Sequence, residues 1–252
     1  MQDKPVALIT GANQGIGFEI AKGLVAAGLT VLVGSRSLER GTQAVETLGE
    51  RAVALQLDVT DQASITTAAD RIREEFGRLD ILVQNAAIAA AASRSFDSGE
   101  ELAAANRPSV VSLDDMREVW DTNVFGVLAV YQAMVPILKD TPNSRIVNVS
   151  SGMGSLTLAS DPNLPVRQLF DASYSASKTA LNALTVAMAI ELESFGIKVN
   201  AVSPGHTKTR LTGFSGADTP EQGAAEAIRV ALLGPEGPTG MFTHATMGNL
   251  PW

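Results

Sequence analysis

Short apolar segments alternate with longer amphipathic segments along almost the whole of this 252-residue chain. The apolar segments are continuous, which is typical of strands that helices cover on both faces. The amphipathic segments repeat at helical spacing, so the pattern predicts βαβ units and a mainly parallel sheet. The predicted strands cover residues 6–10, 30–34, 52–57, 81–84, 145–150, 198–203 and 240–243.

The predicted helices occupy the segments between these strands. They cover residues 15–27, 38–48, 62–76, 114–138, 174–195 and 220–233. Gly28, Gly77 and Gly196 follow three of them, at the position where a glycine often ends a helix. Neither a linker nor an internal repeat interrupts the chain, and its length suits one α/β domain that spans residues 1–252.

The composition excludes several kinds of site. The chain has no cysteine and two histidines, His206 and His244, so thiol catalysis and cysteine-bound zinc are excluded and no metal site is expected. The net charge of −8 offers no basic surface for nucleic acid or an anionic membrane. No uncharged apolar run reaches the roughly 18–20 residues of a membrane span, and no basic leader precedes the first strand. We therefore expect a cytoplasmic protein that works with an organic cofactor, independently of metal.

A glycine-rich turn lies between the first predicted strand and the first predicted helix. It reads Thr10-Gly11-Ala12-Asn13-Gln14-Gly15-Ile16-Gly17. Glycines at such a turn let the backbone approach a pyrophosphate, and the N-terminus of the following helix attracts the phosphate charge. The turn therefore predicts a dinucleotide site, or alternatively a tight turn without a ligand. The predicted contacts come from Gly11, Asn13, Gln14, Gly15, Ile16 and Gly17.

The spacing of these glycines, Gly-x-x-x-Gly-x-Gly, resembles that of the short-chain dehydrogenase/reductase family, in its branch of about 250 residues. The resemblance extends over essentially the whole chain and is strongest to NADPH-dependent carbonyl reductases. It implies a single Rossmann-like, doubly wound domain. That domain would contain a seven-stranded parallel sheet of order 3-2-1-4-5-6-7, with helices on both faces.

The end of the second predicted strand, Ser35-Arg36, bears on the choice of nicotinamide cofactor. No carboxylate lies between Val31 and Ser37 to accept from a ribose 2′-hydroxyl, whereas the Arg36 guanidinium suits a 2′-phosphate. The resemblance accordingly implies NADP(H) rather than NAD(H). Gln14 stands where many NADP-preferring relatives carry a Lys or Arg, so Arg36 has less help. The alternative is that Arg36 is a solvated surface charge.

Three further motifs resemble cofactor-contacting positions of the family. Asp58-Val59 matches the pair that contacts adenine. Asn85 and Ala86 match the family's Asn-Asn-Ala-Gly in part, with Ala87 in place of glycine; alternatively, Asn85 only fixes the turn at the sheet edge. The remaining matches, in the Pro-Gly-x-x-x-Thr motif after the sixth strand, are Pro204, Gly205, Thr207 and Thr209.

Tyr174 and Lys178 stand four residues apart at the start of a predicted helix, on one face of it. A phenol with a pKa near 10 is a poor base at neutral pH, and a neighbouring ammonium is predicted to lower that pKa. Tyr174 could then exchange a proton with a forming alkoxide. Taken alone, such a pair is more often a surface pair. The resemblance implies that Lys178 also holds the nicotinamide ribose and that both residues contact the cofactor.

Two more positions complete the catalytic set that the resemblance implies. Ser151, the second serine after the strand at 145–150, would orient the substrate carbonyl, with Ser150 as the other candidate. Asn123 lies in the middle of a predicted helix, where asparagine is a poor helix former. The family implies a helix distortion there and a bound water linked to Lys178. The alternative is that Asn123 is an ordinary surface asparagine.

The predicted substrate pocket is formed by segments 86–113, 152–173 and 206–219, which lack clear periodicity. Ser151 and Tyr174 are 23 positions apart, and many relatives have about half of that separation. Segment 211–219 is predicted to be a mobile lid, and His206 to lie at the pocket rim. The tail 240–252 ends in an aromatic residue that could dock on a partner subunit.

These patterns predict an oxidoreductase that transfers a hydride between NADP(H) and a ketone, an aldehyde or a secondary alcohol. Its partners would be a small-molecule substrate and further copies of the chain in a homodimer or homotetramer. One alternative is an NADP(H)-binding sensor of the same fold without turnover. Another is an epimerase or dehydratase, although such relatives usually have a larger substrate domain.

Overall fold

The computed structural model describes residues 4–96 and 98–252, and one sheet of eight strands runs through them in the order β3-β2-β1-β4-β5-β6-β7-β8. Strands β1 to β7 pair in parallel, in the predicted order. A short strand β8 pairs antiparallel with β7, so the prediction of seven strands was one too few. The strands are Val6–Ile9, Thr30–Ser35, Ala52–Gln56, Ile81–Gln84, Arg145–Val149, Lys198–Ser203, Phe242–His244 and Gly248–Asn249.

Helices cover both faces of this sheet. Along β1, Val6 and Leu8 pack with α3, α6 and α8, while Ala7 and Ile9 pack with α1, α2 and α9. This alternation is the period of two that a strand imposes, and it confirms the doubly wound α/β fold. Helices α1 to α9 are Gly15–Ala26, Leu38–Leu48, Gln62–Glu75, Gly99–Ala105, Leu113–Trp120, Gly126–Lys139, Leu156–Ser160, Tyr174–Leu192 and Pro220–Ala231.

The helix predicted at 114–138 is not continuous. It consists of α5 and α6, joined by a π-helical turn at Asp121–Phe125. In the described part of the chain, Leu113–Lys139 is also the one helical stretch that is long and apolar enough to cross a membrane by length and composition. Half of that apolar stretch is buried inside the protein, as in the core helix of a globular fold.

Two of the segments without clear periodicity contain short helices. Segment 86–113 holds α4, and segment 152–173 holds α7 between 3-10 turns at Gly152–Gly154 and Pro165–Leu169. Both segments follow the carboxyl end of a strand, β4 and β5, which lie side by side in the sheet. The edge at which parallel strands end is where open α/β sheets bind ligands.

Candidate active site

The glycine-rich turn after β1 is held by the residues that follow β4. The Thr10 hydroxyl accepts hydrogen bonds from the backbone N–H of Asn85 (2.9 Å) and of Ala86 (3.0 Å). The Asn85 amide Nδ2 donates to the carbonyls of Thr10 (2.9 Å) and Gly11 (3.2 Å). The Asn85 side chain therefore fixes the turn, as the alternative interpretation of this residue predicted.

The glycines of the turn are required by close packing and by backbone conformation. A Cβ on Gly17 would lie 2.5 Å from the Asn85 amide nitrogen and 2.6 Å from the Gly11 carbonyl oxygen. Gly11 and Gly15 have φ angles of +64° and +58°, which side chains disfavour. The turn is thus a tightly packed cradle whose inner surface is bare backbone.

The first turn of α1, which leaves this cradle, has no side-chain cap. Gln14 occupies the N-cap position without a capping hydrogen bond, and no acidic residue lies in the first turn. Six other helices, α2, α3, α4, α5, α7 and α9, are capped by the side chains of Ser37, Asp61, Ser98, Ser112, Ser155 and Thr219. The N–H groups at the start of α1 therefore suit an anionic ligand such as a pyrophosphate.

At the end of β2, the buried Ser35 is followed by the exposed Arg36. Ser35 is buried, and its Oγ donates to the Ser37 carbonyl (2.9 Å), so its side chain serves the local turn. Arg36 is exposed, and no residue of 4–96 or 98–252 forms a hydrogen bond or ion pair with its guanidinium. A phosphate contact and a solvated surface charge both fit this position.

The two residues predicted to contact adenine, Asp58 and Val59, make different contacts within the chain. The Asp58 carboxylate accepts from the backbone N–H (3.0 Å) and the hydroxyl (2.7 Å) of Thr60. The Val59 carbonyl lies against Gly126, at the start of α6, where a Cβ would come within 2.7 Å of that oxygen. Asp58 thus shapes the loop after β3, and Val59 packs that loop on α6.

The loop after β6 reaches the glycine-rich turn. Gly205 has a φ of +77°, and the buried Thr207 hydroxyl donates to the Pro204 carbonyl (3.1 Å), which closes a tight turn. The Thr209 methyl group lies 3.5 Å from the place where Gly15 would carry a Cβ. The two cofactor motifs at opposite ends of the sequence therefore meet at one place.

Two of the exposed side chains in this loop bear on the predicted pocket rim and lid. His206 is exposed, and its ring lies 3.5 Å from the Ser215 hydroxyl, which agrees with a position at the rim. Phe214 has a φ of +62°, a conformation that an aromatic residue rarely adopts, and it is 68% exposed. No group of three or more His, Asp or Glu side chains within residues 4–96 and 98–252 could hold a metal ion.

The two serines at the end of β5 have different partners. Ser150 is buried and donates to the Asn182 side-chain oxygen (2.6 Å). Ser151 is partly exposed, and its hydroxyl accepts from the Met153 N–H (3.2 Å) and lies close enough to the Tyr174 phenol to lower the pKa of that phenol. The geometry therefore favours Ser151 as the serine that works with Tyr174.

Lys178 lies on the same face of α8 as Tyr174. Its ammonium is 5.8 Å from the centre of the Tyr174 ring and donates to the Val149 carbonyl (2.9 Å). The side chain is 3% exposed and makes no ion pair with any described residue. Burial without a counter-ion lowers the pKa of Lys178 to about 8.

The pKa of Tyr174 moves in the direction opposite to the prediction. Burial raises the pKa to about 12, the hydrogen bond from Ser151 lowers it, and the Asp171 carboxylate raises it further. The Lys178 ammonium does not offset these effects because it loses its proton at a lower pH than the phenol does. Tyr174 is therefore a protonated phenol at neutral pH, with a proton to donate.

Asn123 lies in the π-helical turn and is fully buried, so it is not a surface asparagine. Its amide exchanges two hydrogen bonds of 2.9 Å with the backbone of Ile88 and donates to the Ser177 hydroxyl (3.0 Å). Ser177 in turn donates to the Tyr174 carbonyl (2.6 Å). Asn123 thus ties segment 86–113 to the first turn of α8, at the helix distortion that the sequence predicted.

Asp171 is a site residue that the sequence analysis missed. Its carboxylate accepts from the N–H groups of Ser173 (2.7 Å) and Tyr174 (2.8 Å) and from the Ser175 hydroxyl (2.9 Å). It therefore caps the helix that carries the catalytic candidates. The usual capping position lies immediately before the helix, and Asp171 lies two residues before the N-cap Ser173, so the capping pattern in the sequence does not identify it.

The tail of the described chain was also missed as part of the site. The Trp252 main-chain oxygen accepts from the N–H (3.1 Å) and the hydroxyl (2.7 Å) of Thr157, and Ser155 donates to the Pro251 carbonyl (2.7 Å). The Trp252 ring stacks on Phe242 with 5.5 Å between ring centres. The tail therefore docks on its own chain, rather than on the partner subunit that the sequence suggested.

The segment held by the tail packs directly on α8. A Cβ on Gly154 would lie 2.8 Å from the Lys178 carbonyl oxygen, and the Gly154 carbonyl accepts from the Asn182 amide (3.1 Å). Ser155, next in sequence, is completely buried and bonds to the tail. The tail, the loop after β5 and α8 thus form one packed unit around Ser151.

Several known proteins share the sequence pattern and the fold of this chain. Residues 5–220 match the family model described as short chain dehydrogenase. The chain is 34% identical to (+)-neomenthol dehydrogenase of Arabidopsis thaliana, with 94% of each sequence covered. The structure of salutaridine reductase from Papaver somniferum matches with a TM-score of 0.79 at 33% identity, over 95% of this chain and 99% of that one. The structure of ElxO with NADP bound matches with a TM-score of 0.78 at 26% identity, over 96% of each.

Proposed function

Because the chain belongs to the short-chain dehydrogenase family, we propose that it is an NADP(H)-dependent oxidoreductase that interconverts a ketone or aldehyde and the matching alcohol. One observation carries this proposal: the Ser151 hydroxyl lies against the phenol of Tyr174, one turn of α8 away from Lys178, at the edge where the cofactor turn lies. The relatives named salutaridine reductase and neomenthol dehydrogenase support an oxidoreductase with a small-molecule substrate.

In the proposed reaction, the protein supplies the proton and the orientation. Ser151 donates to the carbonyl oxygen and directs it toward Tyr174, whose phenol gives its proton to that oxygen. Lys178 holds the ribose and keeps a positive charge near the oxygen, and Asn123 fixes the helix start and the relay water. NADPH, when bound, supplies the hydride that reaches the carbonyl carbon.

The cofactor would lie across the glycine-rich turn. The uncapped N–H groups of α1 suit its pyrophosphate, and Arg36 suits the 2′-phosphate of NADP(H). The loop at Pro204, Gly205, Thr207 and Thr209 would hold the nicotinamide end, because Thr209 reaches Gly15. ElxO, a structural neighbour, was solved with NADP bound, which supports a nicotinamide dinucleotide at this turn, and the preference for NADP(H) over NAD(H) rests on Arg36.

We also propose one domain over residues 1–252 that works in the cytoplasm without metal, nucleic acid or membrane. It would assemble as a homodimer or homotetramer through α6 and α8. The apolar side chains Phe125, beside α6, and Ile190, on α8, are 57% and 68% exposed. A molecular mass from sedimentation equilibrium would test the assembly.

The chain offers a matched pair of substitutions for testing this mechanism. It has two tyrosines, Tyr131 and Tyr174, and both are largely buried. Tyr174→Phe should lower kcat for carbonyl reduction by about 10²–10⁴-fold, because it removes the proton donor, and should leave NADPH binding intact. Tyr131→Phe should keep kcat near the parent value. Equal activities in the two variants, measured as NADPH consumption with a panel of ketones and aldehydes, would contradict the proposed role of Tyr174.

A further inference from the structure

The first turn of α8 is built around a buried negative charge. The Asp171 side chain is 4% exposed. One carboxylate oxygen accepts from the N–H groups of Ser173 (2.7 Å) and Tyr174 (2.8 Å), and the other accepts from Ser175, through its hydroxyl (2.9 Å) and its N–H (3.3 Å). The carboxylate thus accepts four hydrogen bonds, and no described residue forms an ion pair with it.

Few other charges surround this carboxylate. On α8 itself, Lys178 points its ammonium at the Val149 carbonyl. The end of β5 and the Gly152–Gly154 turn bring neutral groups, of which the Ser151 hydroxyl reaches Tyr174. Segment 86–113 brings the Asn106 carbonyl, which accepts from the Ala172 N–H (3.0 Å).

The charged residues nearest in sequence to these contacts lie outside the cluster. Arg107, beside the Asn106 carbonyl, and Arg167, four residues before Asp171, are both exposed. Solvent screens exposed charges, whereas the buried Asp171 acts on Tyr174 through a medium of low polarity. The Asp171 charge also offsets the positive end of the α8 dipole, which would otherwise favour a tyrosinate.

We propose that Asp171 is a positioning residue for Tyr174: its carboxylate fixes the first turn of α8 and places a buried negative charge at the end of the helix where Tyr174 stands, so that Tyr174 remains a proton donor. This inference rests on the function proposed for the site. In carbonyl reduction the O–H bond of Tyr174 breaks and the O–H bond of the alcohol forms, while the carbonyl carbon would take its hydride from bound NADPH. Alcohol oxidation requires a tyrosinate, which Asp171 opposes.

The burial of the pair agrees with this role. The pKa of Tyr174 is raised to about 12, first by burial, and the charge of Asp171 acts in the same direction. A cap that only stabilised the helix would not need a net charge, because a neutral side-chain oxygen satisfies the same N–H groups. Charge and capping can therefore be separated by substitution.

The experiment is a direct titration of the Tyr174 phenol in the full-length chain. Tyr131→Phe leaves Tyr174 as the single tyrosine, since the sequence contains two. Fluorotyrosine incorporation then gives one fluorine NMR signal whose shift follows the ionisation of this phenol, and its greater acidity keeps the titration away from strongly alkaline pH. Asp171→Asn retains the oxygen that accepts from Ser173 and Tyr174 and removes the charge. Asp171→Ser, a smaller neutral cap, serves if the first variant does not fold.

The proposal predicts that the titration midpoint falls by about one pH unit in Asp171→Asn and in Asp171→Ser. The matched control is Asp61→Asn, which alters the N-cap of α3 and should leave the midpoint unchanged. An unchanged or higher midpoint in the Asp171 variants would overturn the proposal, even if the variants lose stability. Because the titration requires no turnover, its result stays separate from a failure of the proposed enzymatic function.

A second readout links the charge to the direction of reaction. In Asp171→Asn, the rate of alcohol oxidation with NADP⁺ should rise relative to the rate of carbonyl reduction, and the oxidation pH profile should move toward lower pH. If the pH profile keeps its position and both rates fall together, Asp171 is only a structural cap of α8. That result would overturn the proposed role of its charge.

Discussion

The two ends of the site are held in place by different kinds of interaction. At the cofactor end, Thr10, Gly17 and Asn85 join neighbouring strands through uncharged hydrogen bonds and close packing. At the proton-transfer end, Asp171 and Lys178 are charged groups buried without ion pairs among the described residues, and the surrounding segment is anchored by a tail about a hundred residues away in sequence. Uncharged contacts thus stabilise the cofactor end. At the proton-transfer end, the burial of charged groups without ion pairs costs free energy of folding.

The largest expected effect concerns the free energy that the burial of Lys178 costs the folded protein. The pKa of Lys178 is lowered from 10.5 to about 8 by burial, so the unfolded state keeps a proton between about pH 8 and 10.5 that the folded state has lost. The unfolding free energy should therefore rise across this window, by roughly 3 kcal/mol, and the cost should be fully present below it. Tyr174 acts oppositely between about pH 10 and 12, where the folded state keeps the proton.

Urea denaturation at several pH values, with the parent and Lys178→Met, would measure this rise. The variant should lack the rise above pH 8 and be the more stable protein at neutral pH. Two curves that run parallel across the window would show that Lys178 is not a buried, uncompensated cation.

The next effect tests the close packing of the cofactor end. Gly17→Ala would place a methyl group 2.5 Å from the Asn85 amide and displace the turn. Overpacking of this kind costs roughly 1–3 kcal/mol, so NADPH should bind about 10- to 100-fold more weakly. Gly99→Ala is the matched control, because nothing lies within 4 Å of its added methyl group. Fluorescence titration with NADPH should separate the two variants, and equal affinities would show that the turn is loosely packed.

A smaller effect is expected where the cofactor end meets solvent. Arg36 is exposed and has no partner within the described residues, so Arg36→Asp should leave stability unchanged. It should weaken NADPH binding by about tenfold and shift preference toward NADH, since it removes a phosphate contact. The ratio of kcat/KM values for the two cofactors measures this shift, and an unchanged ratio would assign Arg36 to the solvated surface.

The smallest effect concerns the tail. Trp252→Ala removes the stacking on Phe242, and a stacked aromatic pair contributes about 1 kcal/mol beyond its buried area. The segment that ends at Tyr174 should loosen, so KM for the carbonyl substrate should rise about fivefold while NADPH affinity stays unchanged. A loss of NADPH affinity instead would remove the distinction between the two ends.

The contrast between the two ends also explains what the sequence predicted well. The strands and the glycine-rich cradle follow from local patterns, because apolar runs and glycine spacing are visible within a few residues. The strand order and the helix distortion at Asn123 were implied by the resemblance to the family. The choice of Ser151 over Ser150 needed geometry, since the two residues differ only in partners from α8: Asn182 for one and Tyr174 for the other.

The sequence did not reveal features that depend on burial or on contacts between residues far apart in the chain. The pair Tyr174–Lys178 has the predicted spacing, yet the direction of the tyrosine pKa depends on burial, which spacing does not reveal. The docking of Trp252 on Thr157 joins residues 95 positions apart and leaves no periodic pattern. Strand β8 has two residues, too few to show alternation.

The most direct test of the central claim follows the hydride. NADPH deuterated at the transferring position of its nicotinamide would be incubated with the protein and a panel of ketones and aldehydes, and the products analysed by mass spectrometry. The proposed function predicts an alcohol with one deuterium on its carbinol carbon in the parent and in Tyr131→Phe, and almost none in Tyr174→Phe. Tight NADPH binding with no deuterated alcohol from any compound would contradict it and favour a cofactor-sensing protein.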